Sequence, residues 1–331
     1  MELLRKVIKR LRNIPITFAR EKRWYPMLYR SYWHYQFHKS KVSKSDNYFS
    51  AIPNVDAGIG HQLANWIAGY WFARQFELKF AHIPFSSQQW ESFLGFGEHE
   101  TTVEYLIKKQ NYSKVRLPLF NESNPDELKL VINIISSYND KKVVFLAEQD
   151  QPYIDQYGVM EDIKVKFDKS AARQSDSLLY SNNFFNIAIH VRRGDIVIGN
   201  QNQNPNLTMR WQNNDYFENV LRRVIDNLHT IKPVAIYFFS QGVVADFKEF
   251  ENFNNIRFCL DMDAQKSFLH MSRADLLITS KSSFSYKPAL LNDGIKICPQ
   301  DFWHGYPDSE SFILADQNGY FNVDELTRIK L

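Results

Sequence analysis

The sequence predicts an α/β protein of two Rossmann-like halves with parallel sheets, carrying a basic helical extension at its start. Three observations predict it. At roughly 150 residues per domain, 331 residues correspond to about two domains. The composition, 44% apolar and 23% charged, is that of a globular chain able to bury a core. In the second half, apolar runs of strand length alternate with stretches of helical periodicity, the pattern of βαβ units with helices on both faces of a parallel sheet.

Taken in order, residues 1–12 (MELLRKVIKRLR) place Leu3, Leu4, Val7, Ile8 and Leu11 at helical spacing with cations opposite, and Pro15 ends that helix. Residues 24–37 gather Trp24, Tyr25, Tyr29, Tyr32, Trp33, Tyr35 and Phe37 among arginines and histidines. From about Tyr48 the alternating pattern begins. Gly58 and Gly60 read as a tight turn before a helix through Leu63, Ile67, Trp71 and Phe76. A strand at 78–83 follows, then helical pieces at SQQWESFL and TTVEYLIKK, a strand at VRLPL, a helix at DELKLVINIISSY and a strand at KKVVFLAE. Residues 161–180 read as a helix and bridge. The second half then offers strands at 185–191, 234–240, 256–260, 275–280 and 295–299, with helices at about 215–229, 243–251, 263–273 and 283–292. The expected division is a segment 1–47, a first half 48–180 and a second half 181–331.

Charge is unevenly distributed. Residues 1–50 hold 12 Lys or Arg against three acids, a local charge of +9, and the remainder sums to −6. A basic, aromatic-rich head on a mildly acidic body suits an anionic membrane surface, where Trp and Tyr favour the interface. No window approaches the roughly 20 apolar residues of a membrane span, and no signal-peptide pattern opens the chain. With only Cys259 and Cys298, no disulfide framework or cysteine zinc site is available, so a reducing compartment is expected. The sequons at Asn111, Asn121 and Asn206 would matter only in a secreted protein. No nucleic-acid module accompanies the basic head, so no nucleic-acid partner is expected.

Ligands in parallel α/β sheets sit where strands end at their carboxyl edge. The run 187–196 puts His190, Arg192, Arg193 and Asp195 at such an edge, where unpaired charge is costly. Two adjacent arginines on an extended segment point to opposite sides, so one faces the cleft and the other pairs with Asp195 or a backbone carbonyl. A guanidinium there can clasp a diphosphate through two parallel hydrogen bonds. The strand at 275–280 similarly delivers Ser280, Ser282, Ser283 and Ser285 to a helix N-terminus beside Lys281, an anion-binding arrangement. Ser240 ends a neighbouring strand. Asp261-Met-Asp263 is a D-x-D pair of the kind that holds a divalent metal against a nucleotide, and equally a helix N-cap. A dinucleotide fingerprint, a G-x-x-x-x-G-K-[ST] loop and a G-x-S-x-G elbow are all missing.

His190-Val-Arg-Arg-Gly-Asp195 resembles the H-x-R-R-G-D signature of the α1,2-fucosyltransferases (glycosyltransferase family 11), shared in looser form with α1,6- and protein O-fucosyltransferases. Ala57-Gly-Ile-Gly-His-Gln62 is similar to that family's G-x-G-N-Q turn, and Ser280-Lys-Ser-Ser-Phe-Ser285 resembles its S-N-S-S-F-S segment. Ser267-Phe-Leu-His-Met-Ser272 resembles the helix before it. The four motifs stand in the family's order across about residues 55–300.

The resemblance implies a GT-B-like, inverting, metal-independent glycosyltransferase with GDP-fucose as donor and no cofactor. By position, it implies that Arg192 grips the β-phosphate, His190 lies near the nucleoside, and Arg193 with Asp195 holds the loop. Ser282 or Ser283 would bond the diphosphate, while Gly58, Gly60, His61 and Gln62 would close on the donor from the first half. The sequence departs from the pattern at His61, where Asn is usual, at Lys281, at Tyr286-Lys-Pro, and at Ser267, where relatives often carry an acid. Asn200 and Gln201 stand where α1,6 relatives place a catalytic Glu, which leaves the base open between Asp195 and His61. Trp66, Trp90 and Glu91 are expected on the acceptor side, and Trp303-His304-Gly305-Tyr306 along the cleft. The expected setting is the cytoplasmic face of the inner membrane, with a glycan acceptor on a lipid carrier, as in O-antigen or capsule (lipopolysaccharide) assembly. Two alternatives remain: a metal-dependent transferase using another nucleotide sugar through Asp261 and Asp263, and a non-catalytic relative that binds nucleotide sugar or glycan.

Overall fold

The computed structural model describes residues 18–147, 156–197 and 205–328. The helix expected at 1–12 lies outside them, as do Asn200 and Gln201. The chain divides into two units, one of residues 1–91 and 97–159, the other of residues 92–96 and 160–331. Among the described residues no helix is long and apolar enough to cross a membrane.

The first unit holds a four-stranded, all-parallel sheet in the order β2-β1-β4-β3: β1 Tyr48–Ala51, β2 Lys79–Phe80, β3 Ser113–Arg116 and β4 Val143–Ala147. Every β4 residue is buried, as a strand covered on both faces requires. Ahead of β1 lies the short helix α1 (Arg30–Phe37). Helix α2 (Ile59–Gln75) then packs on the sheet through Ala68, Phe72 and Ala73. Gly69 is what permits this approach, since a Cβ there would sit 2.9 Å from the Ala51 Cβ. Helices α3 (Gln88–Leu94), α4 (Val103–Gln110) and α5 (Pro125–Ser136) complete the connections. Thr102 caps α4 by accepting from the Tyr105 N–H, and Asn124 caps α5. The strand expected at VRLPL ends at Arg116, two residues before Pro118, which has no N–H for a ladder.

The second unit holds a six-stranded parallel sheet in the order β10-β9-β8-β5-β6-β7. Its strands are β5 Phe185–His190, β6 Val234–Ser240, β7 Ile256–Leu260, β8 Leu276–Ile278, β9 Ile295–Pro299 and β10 Phe312–Ala315. In chain order within the unit this is 3-2-1-4-5-6 read from β7, with the reversal between β5 and β8. Helices α6 (Met160–Lys169), α7 (Asn214–Asn227), α8 (Ala264–Arg273), α9 (Ser283–Leu291) and α10 (Asp324–Arg328) accompany it. The core gathers Ile187, Ile189, Phe217, Leu221, Phe238, Ile278 and Ile297.

Two expectations need correction. The helix at 243–251 is a 3-10 segment, Val244–Asn252, with a non-helical break at Phe247. Across that break Phe247 and Phe250 both pack on Phe238, at 4.9 and 4.7 Å between ring centroids. The turn before α2 is also different: α2 begins at Ile59, so Gly60 lies inside the helix, and Gly58 is its N-cap at φ −62°.

Candidate functional site: the edge between β5 and β8

Strand β5 ends at His190 and β8 runs into Thr279 and Ser280, so the HVRRGD and SKSSFS segments meet at the strand-order reversal. His190 Nδ1 lies 2.9 Å from Ser280 Oγ. Burial, reinforced by Arg192 and Arg193, pushes the His190 imidazole down to about 3, so it is neutral near pH 7.

The adjacent arginines face opposite ways. Arg192 donates from Nη2 to Asp195 Oδ2 at 2.9 Å and from Nη1 to Ser282 Oγ at 3.2 Å, with its side chain partly exposed. Arg193 is buried, donates to the Arg192 carbonyl at 2.9 Å and to Asn214 Oδ1 at 2.6 Å, and lies 4.4 Å over the Trp211 ring. Burial draws its guanidinium down to about 10. Asp195 therefore pairs with the outward arginine, not with Arg193, because Arg193 turns under the loop toward α7. Gly194 makes the turn at φ +65°, and a Cβ there would run into the Gln241 carboxamide.

Across the gap, Ser282 caps α9, its Oγ accepting from the Phe284 N–H as well as from Arg192. Ser285 Oγ lies 3.2 Å from the Ser280 N–H, so both termini of this short turn are tied. Ser283 is half-buried, and its hydroxyl lies 3.5 Å from His304 Nε2. That imidazole accepts from Trp303 Nε1 and stacks on Tyr286, whose hydroxyl donates to the Gly305 carbonyl. The 303–306 run thus lies against the start of α9. The Lys281 N–H donates to Gln212 Oε1, and Ser240 Oγ ties the β6 end to the Val191 carbonyl.

Arg210 is a residue that sequence reasoning missed. Its guanidinium lies 5.0 Å over Trp303, and burial followed by the nearby positive charge of Arg192 lowers its pKa. No motif marks it; only the fold brings it to Arg192. The edge therefore presents the partly exposed Arg192 guanidinium, the half-buried Arg210 near it and serine hydroxyls, with Asp195 as the exposed counter-charge. Such a set can hold a dianionic group and stabilise negative charge that grows on it.

The remaining site residues belong to the first unit. His61 is exposed on the first turn of α2. Gln62 is buried and committed: its amide donates to the Ala57 carbonyl and Ser86 Oγ, and its oxygen accepts from the Ser86 N–H. Trp66 is core, donating to His82 Nδ1 at 3.0 Å; His82 Nε2–H in turn donates to Glu91 Oε1 at 2.8 Å. Burial would raise the Glu91 carboxyl, but the bonds from His82 and the Phe85 N–H hold it below the usual range. Trp66 is thus buried core and not acceptor surface, while Glu91 is half-buried and held by His82 and the Phe85 N–H. Asp263 Oδ1 caps α8, accepting from the Gln265 and Lys266 N–H groups, and Asp261 stands in left-handed backbone at φ +51°. Among the described residues no cluster of three His, Cys, Asp or Glu side chains could hold a metal ion.

No protein-family model matches the sequence, and no curated protein matches it. Solved structures resembling the fold include POFUT1 in complex with GDP, 13% identical over 76% of this chain and 98% of that one, with a TM-score of 0.45. Fucosyltransferase NodZ from Bradyrhizobium is 12% identical over 76% of this chain and 94% of that one, with a TM-score of 0.42. A mutant of Arabidopsis thaliana FUT1 in complex with GDP is 12% identical over 82% and 74%, with a TM-score of 0.41.

Proposed function

We propose that the chain is an inverting glycosyltransferase that moves fucose from GDP-fucose to a sugar hydroxyl. The observation that carries this is Arg192, the outward arginine of the H-x-R-R-G-D run, held at the reversal of the strand order by Asp195 and Ser282. In the transfer the bond from the fucose C1 to the β-phosphate oxygen breaks and a bond from C1 to the acceptor oxygen forms. Negative charge collects on the departing diphosphate, where Arg192 and Arg210 stabilise it. When the diphosphate takes Arg192, the Asp195 carboxylate is released from its ion pair and becomes available to receive the acceptor proton. Neutral His190 beside Ser280 gives the nucleoside side an uncharged wall.

The finer reading follows the motif resemblance: an α1,2 linkage to a growing cell-surface glycan on a lipid carrier, made at the cytoplasmic face of the membrane without a metal. The engagement of Asp263 as a helix cap gives the metal-dependent alternative no support. The test is release of GDP from GDP-fucose by purified protein, with and without a lipid-linked glycan and with and without EDTA. Turnover that survives EDTA and is lost in Arg192→Ala is expected. Turnover that requires manganese would overturn the reading, and no turnover on any nucleotide sugar would favour a binding protein.

A further inference from the structure

Residues 18–44 have two different sides. One packs inward: Tyr25 is buried, Ser31 Oγ donates to the Arg116 carbonyl at 2.7 Å, and His34 stacks on Tyr138 with centroids 3.7 Å apart. The other is apolar and exposed. Phe37 is 83% and Phe18 69% accessible, and Trp24, Met27, Leu28 and Trp33 are also exposed. On α1, Arg30, Trp33 and Phe37 follow at intervals of three and four and share one face, with the Trp33 and Phe37 rings stacked at 6.0 Å. Trp33 Nε1 donates to the Met27 carbonyl, which fixes the helix against the preceding turn. Exposed Lys22, Arg23, Arg30, Lys39, Lys41 and Lys44 stand on this segment, while Glu21 is its one acid before Asp46.

Beside this face lies a cavity of about 390 Å³ lined by Tyr25, Leu28, Tyr29, Arg30, Val115 and Arg116. Leu28 belongs to both the cavity wall and the exposed face. Arg30 and the tyrosines give this lining donors suited to a phosphate, and the apolar side chains beside it suit what is attached to that phosphate. We infer that this face docks on an anionic phospholipid surface, with Trp24, Trp33 and Phe37 entering the interface and one lipid phosphate held by Arg30 beside the cavity. Charge complementarity selects this occupant: apolar rings alone would suit a second copy of the chain, but a segment with six exposed cations and one acid repels its own copy and attracts anionic headgroups.

Flotation of the full chain with vesicles tests it. Phosphatidylglycerol-doped phosphatidylcholine vesicles should carry the protein, pure phosphatidylcholine vesicles should not, and raised salt should release it. Each cation removed should weaken binding about fivefold, so Arg30→Glu should weaken it more than Lys266→Glu, a charge change on the other unit. Phe37→Ser should also weaken it, while GDP-induced thermal stabilisation stays that of the parent. A soluble short-chain phosphatidic acid should protect the Arg30 side of the cavity in the parent and not in Arg30→Glu. Three results would overturn the inference: equal flotation on neutral and anionic vesicles, Phe37→Ser and Arg30→Glu floating like the parent, or a dimer by light scattering that Phe37→Ser dissolves.

Discussion

His190 stays neutral because burial disfavours its charged form and two guanidinium groups repel its proton. In the unfolded chain its imidazole takes a proton below about pH 6.5, whereas in the folded chain it resists until about 3. Its contribution to stability is therefore complete above pH 6.5 and is lost as the pH falls from there toward 3, by on the order of a few kcal/mol. Denaturant titrations from pH 7 to 4 should show this slope, and His190→Gln should flatten it. The two arginines that follow should separate cleanly. Arg192 is in an accessible pair, so Arg192→Ala should cost about 1 kcal/mol or less of stability. Arg193 is buried between Asn214 and Trp211, so Arg193→Ala should cost about 2–3 kcal/mol, read as a lower denaturation midpoint. The alternation of an extended strand made the opposed directions legible in the sequence. Which arginine took Asp195 was not, because Asn214 and Trp211, the partners that draw Arg193 inward, lie outside the motif.

At the scale of elements, the loop after β5 depends on one backbone conformation. Gly194→Ala places a Cβ at φ +65° against Gln241 and should cost about 1–2 kcal/mol while loosening the Arg192 loop. Gly58→Ala is the control: its φ is −62°, nothing lies within 4 Å of the added carbon, and thermal denaturation should shift little. The buried parallel strands were readable because burial on both faces demands continuous apolar runs, as in Phe185–His190 and Ile295–Pro299. Strand β10 was not, since Phe312–Ala315 is a four-residue edge strand after an irregular aromatic stretch and has no periodicity of its own. The 3-10 segment at Val244–Asn252 escaped for a related reason: a spacing of three between Phe247 and Phe250 fits either kind of helix.

For the whole molecule, the strand order decides where chemistry can occur. A parallel sheet reversing between β5 and β8 splays its connections apart at that point, and the His190 and Ser280 segments fill the crevice. The site was legible to the extent that its residues fall in contiguous motifs at strand ends. Arg210 joins it only through the fold, and Gln62, which its motif position offers to the donor, is occupied by Ser86 and Ala57. The role proposed for Arg192 is to clamp a nucleoside diphosphate at this edge. Calorimetric titration of GDP and UDP into the parent and into Arg192→Ala tests it most directly. GDP is expected to bind the parent more tightly than UDP does, without metal, and Arg192→Ala to weaken GDP at least about tenfold with the fold intact. Equal GDP affinity in the two proteins would contradict it.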